Sequence, residues 1–395
     1  MSLKSDFPFF QYNPAAVYLD SASTTQKPNC VLQAMTEYYS TENANVDGYY
    51  SASIRTNQRI QEARETVAEF VGLAPENIIF GGGVTVTVNM LASGLKSLVH
   101  EGDYIIITEQ DHHSNTLPFR ELAVVAGATI LTIPVKENGE LNLEWLEQNI
   151  QDKVIALVAV SHISNVLGVV NDISEISQII KKFSPTCKII LDACQSVAHI
   201  PLSNINSAVD YFFFSAHKCY GPTGVSVLCG SLDNLELIQP TIFGGKMIDE
   251  VDNQSYTYRE LPERLEPGTP NVAGLVGLTA AIQYLQTHLL VSQEDSLLTN
   301  LQNGLEAVDR VKILAAESRK IGLLAFTVKG VEAQDLGILL AKQNICLRTG
   351  TQCAQPLHKA MNIPGTIRVS IGIYTDELDV QAFLKALQKS LQLLH

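Results

Sequence analysis

The sequence has no run near the roughly 20 uncharged apolar residues needed to cross a bilayer as a helix. Its first residues, MSLKSDFPFF, lack the apolar core of a secretory signal. No membrane association is expected. Cysteine is sparse and scattered, with seven residues at Cys30, Cys187, Cys194, Cys219, Cys229, Cys346 and Cys353. The number is odd and no pair is spaced C-x-x-C. Neither a disulfide framework nor a structural zinc site is expected, and reduced thiols point to a cytoplasmic location. Basic residues are also in deficit, 27 Lys and Arg against 41 Asp and Glu, for a net charge of -14. Phosphate backbones are bound by clustered cations, so no nucleic-acid partner is expected. Internal repeats and low-complexity tracts are missing as well.

What is present is apolar. Hydrophobic residues make up 46% of the 395 residues and charged residues only 17%, enough for a large core and more than one domain. From about residue 55 to 230, helical and strand patterns alternate. Residues 58–71 put Ile60, Ala63, Val67 and Phe70 on one helical face, and 173–183 do the same with Ile173, Ile176, Ile179, Ile180 and Phe183. Seven apolar runs bounded by turn residues read as buried strands: 77–80, 104–108, 129–135, 154–160, 188–192, 211–215 and 224–229. Strands separated by helices predict an α/β fold, with a mostly parallel seven-stranded sheet covered by helices. Past residue 300 come strands at 322–329, 345–348 and 366–373 and helices at 333–343 and 378–394, a smaller α+β unit. The expected division is a large domain over 18–275 and a small one over 1–17 and 276–395.

Polar residues follow the strands, where open α/β sheets gather ligands. In YFFFSAHK an aromatic strand ends in Ser215, His217 and Lys218, before the turn Gly221-Pro222-Thr223-Gly224. A lone lysine is usually a surface residue. One held between such a strand and a Gly-Pro turn is suited to Schiff-base chemistry, since burial favours its free amine. In KIILDACQ a strand ends in Asp192. A buried carboxylate is costly unless paired, and a protonated pyridine nitrogen would pair with it. A helix N-cap is the alternative. Gln195 is one short turn further on. In FGGGVTVTVN three glycines open a helix-like segment. Its free N–H groups, with the Thr85 hydroxyl, would suit an anion, although a plain tight turn has the same pattern. His112 or His113 could lie on a flat ring or serve only structurally, and Asn165 follows the strand at 154–160.

On these motifs the chain resembles the pyridoxal-5′-phosphate (PLP) dependent cysteine desulfurases of the class V aminotransferase group. Their fold is type I, and the likeness is to the SUF-type and selenocysteine lyase-like branch. The segments that carry it run nearly end to end: YLDSASTTQKP, ENANV, DHHSNTLPF, SHISNVLG, LDACQSVAH, FSAHKCYGPTG, LEPGTPN, LRTGTQCAQP and IRVS. FSAHKCYGPTG and RTGTQCAQP are the most specific pair. The resemblance implies that Lys218 carries PLP covalently and later moves protons. By the same resemblance Asp192 pairs with the pyridine nitrogen, Gln195 meets the ring hydroxyl and His112 stacks on the ring. Thr85, Ser215 and His217 would bind the phosphate, joined by Thr269 from the second subunit of a homodimer. Asn165 and Arg368 would hold the substrate carboxylate, a role for which the planar guanidinium is apt.

Cys353 would take the sulfur. It sits in a loop between Gly350 and Pro356, where a thiol is accessible. The implied activity is conversion of L-cysteine to L-alanine, with the sulfur left on Cys353 as a persulfide for an acceptor protein, as in iron–sulfur cluster assembly. Selenocysteine lyase or cysteine sulfinate desulfinase activity is the alternative enzyme reading. A PLP-binding regulatory subunit without turnover is the alternative outside enzymes. The chain departs from the family in four places, mildly at Asp111, where Glu is usual, and at DACQS, in place of Asp-Gly-Ala-Gln-Ala, and more strongly at two others. Asp47-Gly48-Tyr49 stands where His-Arg-Gly usually follows ENANV. Gly81-Gly82-Gly83-Val84-Thr85-Val86 stands in place of Thr-Arg-Gly-Thr-Thr-Glu.

Overall fold

The computed structural model describes residues 3–288 and 294–394. Residues 1, 2, 289–293 and 395, assigned above to the smaller domain, lie outside the described residues. All seven expected strands form one sheet. Its order is Ile78–Gly81, Ser226–Gly230, Tyr211–Ser215, Lys188–Asp192, Ile155–Ser161, Tyr104–Thr108 and Thr129–Ile133. Only Ser226–Gly230 runs against its neighbours, so the sheet is mostly parallel, as the pattern predicts.

The strands read as unbroken apolar runs because both faces are covered. Side chains alternate between two cores. Ile189, Leu191, Phe212 and Phe214 enter one, while Ile190, Tyr211 and Phe213 enter the other. The first core is closed by the helices Ser51–Val71, Ile173–Phe183 and Val272–His288, the second by Val84–Gly94 and His113–Ala126. The apolar face of Val272–His288, with Leu275, Leu278, Ile282 and Leu285, stays with the large sheet. A division at 275–276 falls inside that helix.

A second sheet of four antiparallel strands has the order Val311–Ile313, Leu323–Val328, Thr366–Ser370 and Arg348–Gly350. The helices Glu294–Glu306, Ala333–Ala341 and Glu377–Leu391 pack on it. The apolar run at 345–348 is not one strand. Ile345–Cys346 pairs with Val17–Tyr18 instead, which ties the N-terminal segment to this sheet and sets Asp20 beside Ser370. The hairpin Ile248–Val251 and Tyr256–Tyr258 escaped the periodicity because its residues are mostly exposed. The two sheets meet at Gly168 (φ 73), whose carbonyl accepts the Ile321 N–H at 3.0 Å. A Cβ there would lie 2.2 Å from the Leu323 carbonyl oxygen, so only glycine allows the approach. No helix among the described residues is long and apolar enough to cross a membrane.

One buried ion pair anchors the edge of the large sheet nearest the glycine loop. Arg64 donates through Nη1 and Nη2 to Glu266 Oε1 (2.9 Å) and Oε2 (2.8 Å). The Phe80 N–H donates to the same carboxylate at 2.8 Å. Both charged side chains are buried. Removing one partner of such a pair strands a charge, at a cost of about 3–5 kcal/mol. Glu266→Ala should therefore lower the urea unfolding midpoint of the large unit substantially. An unchanged midpoint would show that the strand Ile78–Gly81 is held without the pair.

Candidate active site

The parallel strands end on one edge of the sheet, and the loops that leave them close around a cavity of about 590 Å³, a size suited to a small ligand. Thr85, His112, Asn165, Asp192, Ser215, His217, Lys218, Cys353 and Arg368 all line it. Nine residues from seven separate segments of the chain thus meet in one cavity. Gln195 lies just behind the wall, its Nε2 donating to the Ala22 carbonyl at 3.0 Å. Thr269 is elsewhere, in a small pocket with Tyr38, Asn45 and Asn271.

The glycine loop makes one end of the cavity. Gly83 (φ 127) is the N-cap of the helix Val84–Gly94 and supplies no capping side chain. The helix's first N–H groups are thus left for an anion. A Cβ on Gly82 or Gly83 would meet nothing within 4 Å, so the backbone faces open space. The loop is fixed from behind. Gly83 N–H donates to Ser226 Oγ at 3.0 Å, and Ser226 Oγ is 2.7 Å from Thr87 Oγ1. Beside it, His217 Nδ1 is buried with no hydrogen-bond partner. Lys218 follows on a 3-10 turn held by the N-terminal segment. Thr25 N–H (3.0 Å), Thr25 Oγ1 (3.1 Å), Thr24 Oγ1 (3.2 Å) and Lys27 Nζ (3.3 Å) all reach the His217 carbonyl.

The middle of the cavity holds Asp192 and His112. Asp192 Oδ1 accepts the Cys194 N–H at 2.9 Å, and no lysine or arginine pairs with this buried carboxylate among the described residues. The bond closes a turn, so Asp192 is not a helix N-cap. Cys194 itself lines the cavity. His112 caps the helix His113–Ala126. Its Nδ1 accepts the Ser114 N–H at 3.1 Å. A backbone N–H only donates, so the neutral ring carries its proton on Nε2. Burial, then the charge of Lys218, pushes this imidazole down to about 4, against the opposing pull of Asp192.

The other end holds the guanidinium and the thiol. Asp20 bridges two arginines, accepting from Arg368 Nη2 at 3.2 Å and Arg348 Nη2 at 2.8 Å. Arg368 also donates to Ser23 Oγ (2.6 Å) and the Asn165 carbonyl (2.7 Å), while its buried Nε has no partner. Asn165 Nδ2 donates to the Gln352 carbonyl at 2.8 Å, so that amide braces the thiol loop. Cys353 is exposed at the mouth, its carbonyl accepting the His113 N–H at 2.9 Å. Asp20, Ser23, Arg348, Cys194 and Gln352 were not singled out from sequence. Each stands within or beside a motif quoted above, and that was the available signal.

The donor set fits PLP. The capless helix end and the orphaned His217 nitrogen suit a phosphate. The buried carboxylate without a cation suits a pyridinium nitrogen, and Lys218, lining the same cavity, would hold the aldehyde carbon. A neutral imidazole is a suitable ring to lie against such a cofactor.

Comparison with known proteins agrees. Residues 17–383 match the aminotransferase class-V family. A probable cysteine desulfurase of Haemophilus influenzae is 35% identical over 392 residues, covering 98% of this chain and 89% of that one. The crystal structure of the Escherichia coli cysteine desulfurase CsdA, as the S-sulfonic acid, superposes with a TM-score of 0.91 at 32% identity, covering 99% of this chain and 98% of that one. A variant of C-DES with glycine covalently linked to its PLP cofactor superposes with a TM-score of 0.83 at 25% identity, covering 98% of this chain and 99% of that one.

Burial pushes His112, His162 and His217 each down to about 4. They are neutral in the folded chain, whereas unfolded histidines protonate near 6.5. The stability tied to these groups is complete above pH 6.5 and is lost as pH falls from 6.5 toward 4, because the unfolded chain takes up the protons. NMR titration of ¹³C-labelled histidine in the cofactor-free protein should find three rings titrating well below 6.5. Ordinary midpoints for all three would contradict the geometry.

Proposed function

The chain belongs to the aminotransferase class-V family and is a PLP enzyme, and from that premise we propose that it is a cysteine desulfurase whose sulfur acceptor is Cys353. Substrate L-cysteine leaves as L-alanine, and its sulfur stays on Cys353 as a persulfide. One observation carries the reading: an exposed thiol, a buried guanidinium and a lysine line the same cavity as the cation-free Asp192.

When bound, PLP supplies an electron sink that labilises bonds at the substrate's α- and β-carbons. The protein supplies the rest. The helix end at Val84–Gly94, with Thr85, Ser215 and His217, would bind the phosphate, and Asp192 would keep a proton on the ring nitrogen. Gln195 would reach the ring hydroxyl by leaving the Ala22 carbonyl or through its free oxygen. Arg368 offers its unpartnered Nε to the substrate carboxylate, with Asn165 alongside. Lys218 takes the proton from Cα and later returns one there, and the proton given up by the substrate's own thiol ends on Cβ. His112, neutral with its proton on Nε2, would lie against the ring without adding charge. The Cys353 thiolate attacks the substrate Sγ, the Cβ–Sγ bond breaks, and the new S–S bond leaves alanine and a persulfide. A reductant or acceptor thiol then removes the outer sulfur.

Thr269 can reach a phosphate only in another subunit's site, which supports a homodimer. Tyr49, Tyr50, Ile242 and Phe243 are exposed apolar residues that a second copy would cover. The acceptor protein, delivery to iron–sulfur assembly and a cytoplasmic location belong to the same reading.

With cysteine and a reductant, the holoenzyme should release alanine and sulfide in equal amounts. Cys353→Ala should lose this turnover by about a hundredfold or more, while its PLP absorbance stays unchanged. Lys218→Ala should lose both. Full alanine release from the Cys353→Ala variant would overturn the persulfide route. Turnover of selenocysteine or cysteine sulfinate but not cysteine would shift the substrate. PLP bound with none of the three turned over would make the chain a binding subunit.

A further inference from the structure

Cys353 stands in a backbone conformation that side chains rarely adopt. Gln352 (φ 43) and Cys353 (φ 56) are consecutive left-handed residues, and neither is glycine. Such a pair persists only where its surroundings over-determine it. Main-chain bonds do part of this. Asn165 Nδ2 holds the Gln352 carbonyl (2.8 Å), His113 N–H holds the Cys353 carbonyl (2.9 Å), and Ala354 N–H closes on the Thr351 carbonyl (2.9 Å).

Two buried side chains beneath the loop complete the lock. Thr366 Oγ1 lies 2.8 Å from Gln352 Oε1, 3.3 Å from His358 Nε2 and 3.3 Å from the Gly350 carbonyl. His358 Nδ1 lies 2.9 Å from the Ala354 carbonyl. Thr366 and His358 are 0% and 2% exposed, so these contacts have no water to compete with them.

Proton count gives the network a direction. A carbonyl only accepts, so the His358 proton is on Nδ1. Burial lowers this imidazole's pKa, which keeps the ring neutral and makes Nε2 an acceptor. The Thr366 hydroxyl has two such acceptors before it, Gln352 Oε1 at 2.8 Å and His358 Nε2 at 3.3 Å, and donates to the nearer, the amide oxygen. Gln352 Nε2 donates in return to the Thr366 carbonyl at 3.4 Å, so the amide grips Thr366 at both ends. The result is one connected network from Gln352 through Thr366 and His358 to the Ala354 carbonyl. It leaves the residue before Cys353 and returns to the residue after it.

Building on the reading of Cys353 as sulfur acceptor, we propose that Thr366 and His358 are positioning residues that hold the Cys353 thiol at the cavity by locking its two neighbours. They touch neither substrate nor cofactor and act through Gln352 and Ala354.

The test uses holoenzyme carrying Thr366→Val, Thr366→Ser or Gln352→Leu. It follows hydrogen exchange of the 350–358 segment, kcat and KM for cysteine, and PLP absorbance. Thr366→Val keeps the β-branched shape that a strand accepts and removes the hydroxyl. It should speed exchange in the loop and lower kcat roughly tenfold or more, with KM and PLP absorbance unchanged. Thr366→Ser should restore both exchange and kcat. Gln352→Leu, at a partly exposed position, should reproduce the valine result. The proposal is overturned if loop exchange is unaltered, if exchange rises without loss of kcat, or if serine fails to restore kcat. A parent enzyme that releases no alanine from cysteine would instead overturn the desulfurase reading, and the exchange comparison would still decide whether the lock exists.

Discussion

A carboxylate buried at the end of a central strand, with no cation of its own, is the constraint on which the rest of this site depends. Asp192 closes Lys188–Asp192 and receives one backbone N–H from Cys194. One such bond does not repay the desolvation of a charge. The protein sends no lysine or arginine to it among the described residues, although Lys218, Arg348 and Arg368 all line the same cavity. That restraint has a chemical meaning. A cation the chain does not encode would satisfy it, and the pyridinium of PLP is one. The other features then fall into place around the ring. Thr85, Ser215 and His217 would serve its phosphate, the neutral imidazole of His112 its ring, and Lys218 its aldehyde, all from the same cavity.

The same arrangement separates two kinds of charge. Among the described residues no ion pair involves Thr85, His112, Asp192, Ser215, His217 or Lys218. The end of the cavity at Arg368 holds two, through Asp20 shared between Arg348 and Arg368. Asp20 takes up part of the positive charge of two guanidiniums, orients Arg368 and leaves its Nε unpartnered. A carboxylate-bearing substrate meets a preformed donor there instead of a mobile side chain. The thiol completes this end from a loop pinned by the N-terminus of His113–Ala126, the helix that His112 caps. One helix end thus sets both the ring-facing histidine and the loop of Cys353.

Much of this was legible in the sequence, for physical reasons. Strands covered on both faces are unbroken apolar runs, so all seven could be read. Because the sheet is mostly parallel, the residues that end them must share an edge. That brings Thr85, His112, Asn165, Asp192 and Lys218 together from the sequence pattern alone. What was not legible depends on pairing across long separations. Asp20 meets Arg368 across 348 positions, and no local period announces it. The split of 345–348 was hidden because Val17–Tyr18, far away in sequence, claims half of it. The lock under Cys353 joins Gln352, Thr366 and His358 through hydrogen bonds, which leave no trace in hydrophobic periodicity. Thr269 was read from resemblance alone, and its place off the cavity gains sense only with a second copy of the chain.

The central claim is that sulfur leaves the substrate by direct attack of the Cys353 thiolate and not by elimination into solution. Mass spectrometry of the Cys353 peptide, after one equivalent of cysteine is mixed with holoenzyme in the absence of reductant, tests it most directly. The account predicts one added sulfur atom on Cys353, formed in step with alanine. Alanine or pyruvate appearing with free sulfide, and Cys353 unmodified, would contradict it.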